Sequence, residues 1–525
     1  MPDLIIVSKY ELKYTIMFQL MVIIFVLGYI AIALEHPLKI DKSASALLIG
    51  VLTWAIYALN SVDILSLGHS ATWNALTEGI TMGKEHVQHI ASHFVKHELG
   101  HHLTEISEII FFLLGAMTIV EVVDKHQGFR LITDKVKTTS KVKLLWILSI
   151  LTFFMSAALD NLTTTIVMVT LLKKLISDKK TRWFFASMVV LAANAGGAWS
   201  PIGDVTTIML WIGGQITAAN IIKMVIIPSM VSMIVPLIIL SFSMKGTVTR
   251  PELSEHDSRE FTTKREQVLM LFLGVGALLF VPVFKTITHL PPYMGMLLGL
   301  GVLWLVTDLL NRRRSPEDRR ELNVINILKK VDIPTVMFFL GILTAVASLQ
   351  SAGQLHLLSG WLDKATGQNI YVIDTAIGIL SSIVDNVPLV AGAMGMYDIA
   401  HSGAFAVDGV FWELLAYTAG TGGSILIIGS AAGVAAMGME RIDFIWYMKK
   451  ISLLALIGYF AGIGTYALQE KIAGADTEAE HDNMRVVEKK AQGVIDDNTH
   501  LYLDSEMFIG VKHLESTEED GENQE

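Results

Sequence analysis

Two motifs recur in this chain at one fixed offset, and both lie inside long apolar runs. The first copy reads Ser156-Ala-Ala-Leu-Asp160-Asn161, followed by Gly196-Gly197-Ala-Trp-Ser-Pro-Ile-Gly203. The second reads Ser381-Ser-Ile-Val-Asp385-Asn386, followed by Gly422-Gly423-Ser-Ile-Leu-Ile-Ile-Gly429. The aspartates are 225 residues apart and the leading glycines 226. A third anchor keeps the offset: Phe111-Phe112-Leu-Leu-Gly115 and Phe338-Phe339-Leu-Gly341 are 226 apart at the glycine. A duplicated membrane unit, with a carboxylate and glycine breaks at matching places in each half, is the pattern of a secondary transporter.

Composition points to a bilayer. Hydrophobic residues make up 52% of the chain and charged residues 17%, against about 25% charged in a soluble domain. Spans are expected at 14–34, 44–62, 104–123, 184–212, 221–243, 266–284, 292–310, 333–350, 408–437 and 444–467. Each holds roughly the ~20 apolar residues that a crossing helix needs. No small-residue cleavage site follows the first run, so it reads as a retained span. The absence of cysteine excludes disulfides and thiolate metal sites. The net charge of −10 is local: residues 469–525 carry 16 acidic and 5 basic side chains, the remainder 34 and 35. That segment reads as a polar, acidic, soluble tail with one short helix near 483–493. No cofactor and no nucleic-acid partner is expected.

Two further apolar stretches, 143–176 and 371–397, are too long for one helix and too interrupted for two crossings. Each carries an Asp-Asn pair near its middle, so both read as re-entrant helical hairpins with that pair at the tip. Basic residues flank the first on both sides, among them Lys137, Lys141, Lys143, Lys173, Lys174 and Arg182. Positive charge marks the cytoplasmic side, so this hairpin enters and leaves there. The flanks of the second, 351–370 and 398–410, hold one Lys and no Arg, which fits the external side. The loop 311–330 is rich in Arg and fits inside. Five crossings then separate the anchors at 104 and 333, so the second unit is inverted relative to the first. The same parity puts the N-terminus and the tail outside.

Glycines at the middle of 184–212 and 408–437 break those spans, free carbonyl oxygens and expose helix ends. Asp160 and Asp385 are the strongest single signals, because a carboxylate at membrane depth marks an ion or proton path. Asn161 and Asn386 add neutral oxygens at the tips. Asn194, Ser200, Asp204, Thr206 and Thr207 do so around the first break, and Thr421, Ser424 and Ser430 around the second. An all-oxygen set with few charges suits a small hard cation such as Na⁺ or Li⁺. A carboxylate there can hold either the cation or a proton, and that competition is sufficient for antiport.

One motif points elsewhere. His97-Glu98-Leu-Gly-His101 is an HExxH, the zinc-protease signature. It sits in a histidine-rich run, and His86, His89, His93, His97 and His101 repeat at 3 or 4 residues on one face of a helix outside the membrane core. Such a face could sense pH or bind metal, or be a plain solvated amphipathic helix. Glu105 and Glu108 are candidate proton-path residues near one end of the third span, and Glu121 lies near its other, basic end.

The runs His101-His102-Leu-Thr-Glu105-Ile-Ser-Glu108, Ala158-Leu-Asp160-Asn161-Leu-Thr-Thr-Thr and Asn194-Ala-Gly-Gly-Ala-Trp-Ser-Pro-Ile-Gly-Asp204-Val-Thr-Thr207 resemble the NhaD-type sodium/proton antiporters. These belong to the ion transporter superfamily, with arsenite-efflux and dicarboxylate transporters. The resemblance covers about 12–468. It implies Na⁺(Li⁺)/H⁺ exchange, alkaline activation, a scaffold with a moving transport domain, and a homodimer. The residues it carries over are Asp160, Asn161, Asn194, Asp204, Thr206, Thr207, Ser381, Asp385, Asn386, Ser424 and Ser430. Gly420 stands where the first half has Asn194, and Ser430 where it has Asp204, so the main Na⁺ site is expected on the first half, at Asp160, Asn161 and Asp204.

The expectation is therefore an all-α polytopic membrane protein of the cell inner membrane with two inverted repeats, each holding a re-entrant hairpin and a broken helix. Its parts are N-terminal spans with the His-rich segment (1–103), a first repeat (104–243), a linker with two spans (244–332), a second repeat (333–468) and the tail (469–525). It would exchange cytoplasmic Na⁺ or Li⁺ for external H⁺. The alternatives are a Na⁺-coupled carboxylate carrier, an arsenite exporter, or an intramembrane zinc metalloprotease built on the HExxH.

Overall fold

The computed structural model describes residues 2–78, 84–133, 135–251, 262–312 and 314–472. The acidic tail beyond 472, with the helix expected near 483–493, lies outside the described residues. Met1–Tyr466 form one compact unit, and a second, Ala467–Glu525, is described only as far as 472.

Among the described residues the chain is helical, with only two isolated β-bridges. Hydrocarbon offers the backbone no partner, so each span closes its hydrogen bonds within itself. Nine helices among the described residues are long and apolar enough to cross: Ile16–Ala33, Lys42–Leu59, Val87–Lys125, Lys141–Leu159, Ala218–Ser243, Lys264–Thr288, Pro292–Asn311, Ile333–Ser351 and Ser452–Ile472. Helix starts are marked by side chains that accept a free N–H two or three residues on: Asp41 from Ser43, Asp178 from Thr181, Asp332 from Thr335 and Asp443 from Trp446.

Several expected spans are divided. The run 184–212 becomes Lys179–Ala198 and Val205–Ile212, and 408–437 becomes Val410–Gly422 and Ala431–Glu440. The last span starts later than expected, after a short helix Phe444–Lys450. The expected span 104–123 is the end of one helix of 42 residues, Lys84–Lys125. At 1.5 Å per residue it is ~63 Å long, about twice the hydrocarbon thickness. The boundary at 103/104 therefore falls inside a continuous helix, and the histidine-bearing half is its extension.

Both hairpins form. The first has arms Lys141–Leu159 and Asn161–Leu175 joined at Asp160. Its first arm, at 19 residues, has the length and composition of a crossing helix. The second hairpin has arms Ile370–Leu380 and Asn386–Met396 of 11 residues each. Each of those arms is ~16 Å long, half the hydrocarbon thickness.

The same packing is built twice. A Cβ on Gly196 would lie 2.1 Å from Phe153 O, and one on Gly422 2.0 Å from Gly378 O, so only glycine lets each broken helix touch its hairpin backbone. Ser156 Oγ donates to Ala193 O (2.6 Å) and Ser381 Oγ to Ala419 O (2.9 Å). Gly203 abuts Ser156 O and Gly429 abuts Ser381 O. The correspondence reaches back to earlier helices. Gly115 packs on Met296, and Gly341 on Ala46. Helix 292–311 thus stands against 84–125 as helix 42–59 stands against 333–351, and each half lends a helix to the other.

Candidate functional site

The two breaks and the two hairpin tips converge on Asp204. This residue caps Val205–Ile212, accepting the Thr206 N–H at 3.1 Å, and is 1% exposed. Asn161 Nδ2, from the first tip, donates to Asp204 Oδ2 (2.9 Å) and to Asn194 Oδ1 (3.1 Å). Asn386 Nδ2, from the second tip, reaches both carboxylate oxygens at 3.4 Å. Asn194 Nδ2 donates to Ser424 Oγ and Ser430 Oγ, both at 2.9 Å, which ties the first break to the second. The Thr206 hydroxyl, buried beside the carboxylate, makes no hydrogen bond of normal geometry. Among the described residues no basic side chain pairs with Asp204. The carboxylate is closed to solvent and accepts from the amide N–H groups of both tips, with the Thr206 hydroxyl beside it and the oxygens of Asn194, Ser424 and Ser430 one hydrogen bond further out. With the tip amides turned to present their oxygens, this set would suit a small hard cation.

The two tip aspartates sit differently from Asp204 and from each other. Asp160 caps the second arm of its hairpin through Thr163, with N–H at 2.7 Å and hydroxyl at 2.8 Å. Its backbone has φ 82° and ψ 158°, a region that is nearly glycine's alone and costs about 1–3 kcal/mol. Strain of this size survives only where the surroundings dictate the turn. Asp385 is at an ordinary φ of −51°. It forms a salt bridge of 3.0 Å with Lys42, whose ammonium also lies 4.3 Å from the Phe338 ring centroid. Sequence reasoning missed Lys42 because a lone lysine at the start of an apolar helix reads as interfacial.

The remaining expected oxygens are spent on structure in this conformation. Ser200 Oγ donates to Ala157 O (2.5 Å), Thr207 Oγ1 to Ala198 O (3.2 Å) and Thr421 Oγ1 to Tyr417 O (2.6 Å). Ser200 and Ser381 fasten a break to a hairpin, Thr207 ties the two parts of the first broken helix, and Thr421 bonds back within its own helix. A further carboxylate, Asp374, is fully buried in the second hairpin with no partner for either oxygen. The signal for it was a single acid in the apolar run 370–380.

Cavities lie at both ends of helix 333–351. One of about 290 Å³ lies at its start, lined by Asp332, Thr335, Leu162 and Ala431. It shares the last three of these with a smaller one of about 40 Å³ at Asp160 and Asn161. Another, of about 370 Å³, lies at the far end of the helix, lined by Gln350, Met209, Met394, His102, Glu105 and Glu108. Asp332 and Gln350 are ~27 Å apart along the helix. His93, His97 and His101 are exposed on the extended helix. Glu121 faces Lys125 at 4.0 Å, one turn on.

Comparison with known proteins agrees with this architecture. A family model described as citrate transporter matches residues 23–422. Sodium/proton antiporter 2 of Arabidopsis thaliana is 44% identical over 452 residues, 85% of this chain and 98% of that protein. Sodium/proton antiporter 1 of the same plant is 46% identical over 446 residues, 85% of this chain and 71% of that protein. The Na⁺/H⁺ antiporter NhaD of Vibrio parahaemolyticus is 30% identical over 407 residues, 73% of this chain and 94% of that protein. With three-quarters of its length inside the family model and relatives of these identities along most of it, the chain belongs to the transporter family that holds the NhaD-type sodium/proton antiporters.

Proposed function

We propose that this protein exchanges cytoplasmic Na⁺ or Li⁺ for external H⁺, with cation and proton competing for the carboxylate of Asp204. The observation that carries this reading is that carboxylate itself. It is buried, lacks a basic partner among the described residues, and is ringed by Asn161, Asn194, Asn386, Ser424, Ser430 and Thr206. A buried carboxylate is costly unless a cation or a proton compensates it. Occupancy by one of the two, never neither, is what obligatory exchange requires. Asp160 stands beside Asn161 at the inner end of the ~40 Å³ cavity and serves as the threshold group for a cation arriving from the Asp332 side. That side follows the Arg-rich loop 311–330 and is cytoplasmic by the positive-inside rule.

The doubled contacts support two repeats of inverted orientation, with each hairpin facing one of the two large cavities: Leu162 and Ile166 of the first, Ala391 and Met394 of the second. Alternating access is then a shift of the hairpins and broken helices against the helices 42–59, 84–125, 292–311 and 333–351. The protein acts as a transporter and not as an enzyme. His97 and His101, the HExxH pair, are exposed, far from the enclosed site that hydrolysis of a membrane-embedded bond would need. The reading includes a homodimer in the inner membrane, for which the mass of the detergent-free particle is the test.

The test of function is Na⁺- and Li⁺-induced dequenching of a ΔpH dye in everted vesicles from antiporter-deficient cells, with wild type beside Asp204→Asn. Wild type is expected to respond to both ions. Asp204→Asn is expected to lose at least about a hundredfold in rate, which is ~2.7 kcal/mol. Silence of well-expressed wild type toward both ions, with a response to a dicarboxylate or to arsenite, refutes the exchange reading and installs the carrier or exporter in its place.

A further inference from the structure

The long helix carries a second constellation that the exchange reading does not use. Its position is the rim of the ~370 Å³ cavity, where His102, Glu105 and Glu108 form part of the wall. His102 Nδ1 lies 3.2 Å from Glu105 Oε2, and His101 Nδ1 lies 3.7 Å from Glu105 Oε1. One ligand atom from each of the three residues falls within 4.8 Å of the others. Two imidazole nitrogens thus converge on the two oxygens of one carboxylate. Around a tetrahedral Zn²⁺ with bonds of about 2.0–2.1 Å, ligand atoms stand roughly 3.3 Å apart. The two histidine–carboxylate separations are close to that value already, and the two imidazoles stand within 4.8 Å of each other.

A second observation marks this as a site and not a chance triplet. The other nitrogen of His102, Nε2, lies 3.9 Å from Glu98 Oε2, and both of those side chains are mostly buried, at 12% and 15% exposed. A carboxylate behind the far nitrogen of a histidine fixes the tautomer that leaves the near nitrogen free to bind metal. At 3.9 Å Glu98 makes no hydrogen bond to His102, but it is the carboxylate placed to accept from Nε2 once a metal holds Nδ1. Three protein ligands leave one position open, which water can fill.

We propose that His101, His102 and Glu105 form a binding site for a borderline transition-metal dication of the Zn²⁺ class, backed by Glu98. Two imidazoles and a carboxylate suit Zn²⁺, Co²⁺ or Ni²⁺ and not Na⁺. Occupancy places two positive charges on the wall of a cavity that also touches Met209 and Ile212, on the helix that Asp204 caps. Such a charge depletes other cations from the cleft, so the bound metal inhibits exchange. The binding stands without the exchange reading, whereas the inhibition rests on it.

The experiment uses the full chain, purified and freed of any polyhistidine tag, with Co²⁺ as the probe. One Co²⁺ per chain is expected to give a tetrahedral visible band that Zn²⁺ abolishes. The double variant His101→Ala, Glu105→Gln is expected to weaken binding at least about tenfold, and Glu98→Gln to weaken it by a similar factor. His89→Gln, on the same helix but outside the triplet, is expected to bind as wild type. Unchanged binding in the double variant, or loss of binding in His89→Gln, overturns the site. Proteoliposomes then report inhibition. Zn²⁺ is expected to slow wild-type exchange, and the double variant, measured against its own metal-free rate, is expected to need about tenfold more Zn²⁺. Co²⁺ binding without any effect of Zn²⁺ on exchange overturns the inhibitory role, while proteoliposomes with no exchange under any condition refute the exchange reading and leave the site standing.

Discussion

Replacing Lys42 by Met tests whether the two tip aspartates do different work. Lys42 and Asp385 are 3.0 Å apart with side chains 22% and 13% exposed. At an effective dielectric of about 20 their attraction is roughly 5–6 kcal/mol. Desolvation of the pair offsets much of that. What the substitution exposes is a different quantity, the cost of leaving Asp385 without a partner, about 3–5 kcal/mol. Loss of the ammonium over Phe338 adds about 0.5–1 kcal/mol. Unfolding Met1–Tyr466 carries an entropy of roughly 1 kcal/mol/K, so ~4 kcal/mol lowers the midpoint by about 4 °C, and by more if detergent-denatured helices persist. The assay is a thermal melt of purified wild type, Lys42→Met, Asp385→Asn and the double variant, each with and without Na⁺. Lys42→Met should be the least stable without Na⁺ and should recover most on adding it, because Na⁺ can take the place of the ammonium. The double variant should be more stable than Lys42→Met, with a coupling of at least about 2 kcal/mol. Additive effects of the two single changes would refute the argument. So would a Lys42→Met melt indifferent to Na⁺.

The strained turn at Asp160, φ 82°, predicts that Asp160→Gly melts higher than Asp160→Ala by about 1–2 kcal/mol although both lose the carboxylate; equal melts would place the strain elsewhere. Gly196→Ala and Gly422→Ala put a Cβ about 2 Å from a carbonyl oxygen in each half, so each should cost more than the about 1–3 kcal/mol of ordinary overpacking and abolish accumulation of folded protein. His126, just past the third span, is buried, and that burial pushes its imidazole below the ordinary 6.5, with Val122 O, Glu266 and Arg314 facing it. A depressed folded value means the unfolded chain binds the extra proton, so this contribution is complete above pH 6.5 and is lost as pH falls below it. His126→Phe should flatten that acid slope of the melting temperature, and an unaltered slope would show that another group sets it.

The parts of this molecule that were legible in its sequence are those that the repeat writes twice. Gly196 and Gly422 announce the breaks because a backbone contact forbids any side chain, and Ser156 and Ser381 follow them because each buried hydroxyl needs a carbonyl. Which acid lies at the centre was not legible. Asp160 and Asp385 share a motif, so sequence treats them as equals, yet one caps a strained turn and the other is claimed by Lys42 from a helix 343 residues away. No local pattern encodes that pairing, because it depends on each half lending a helix to the other. Asp204 was expected at the Na⁺ site beside Asp160, with nothing in the sequence to rank the two. It became the centre because both breaks and both tips meet on a single axis, and the counterparts of Asp204 and Asn194 in the second half are Ser430 and Gly420. Had the duplication stayed symmetric, two carboxylates would face each other there and repel, and a divalent ion would be the natural occupant. The replacement of one by serine leaves a single carboxylate between the two breaks, and the replacement of asparagine by glycine lets the second broken helix close on the first: a Cβ at Gly420 would stand 3.1 Å from Ala198 Cβ and 3.5 Å from Asp204 Oδ2. On the exchange reading proposed above, the divergence of the halves, more than their likeness, is what would turn a doubled scaffold into one monovalent cation site. Gly420→Asn should press on Ala198 and Asp204 and suppress exchange even though it adds an amide of the kind the site already uses; full activity in that variant would show that the close approach beside Asp204 plays no part.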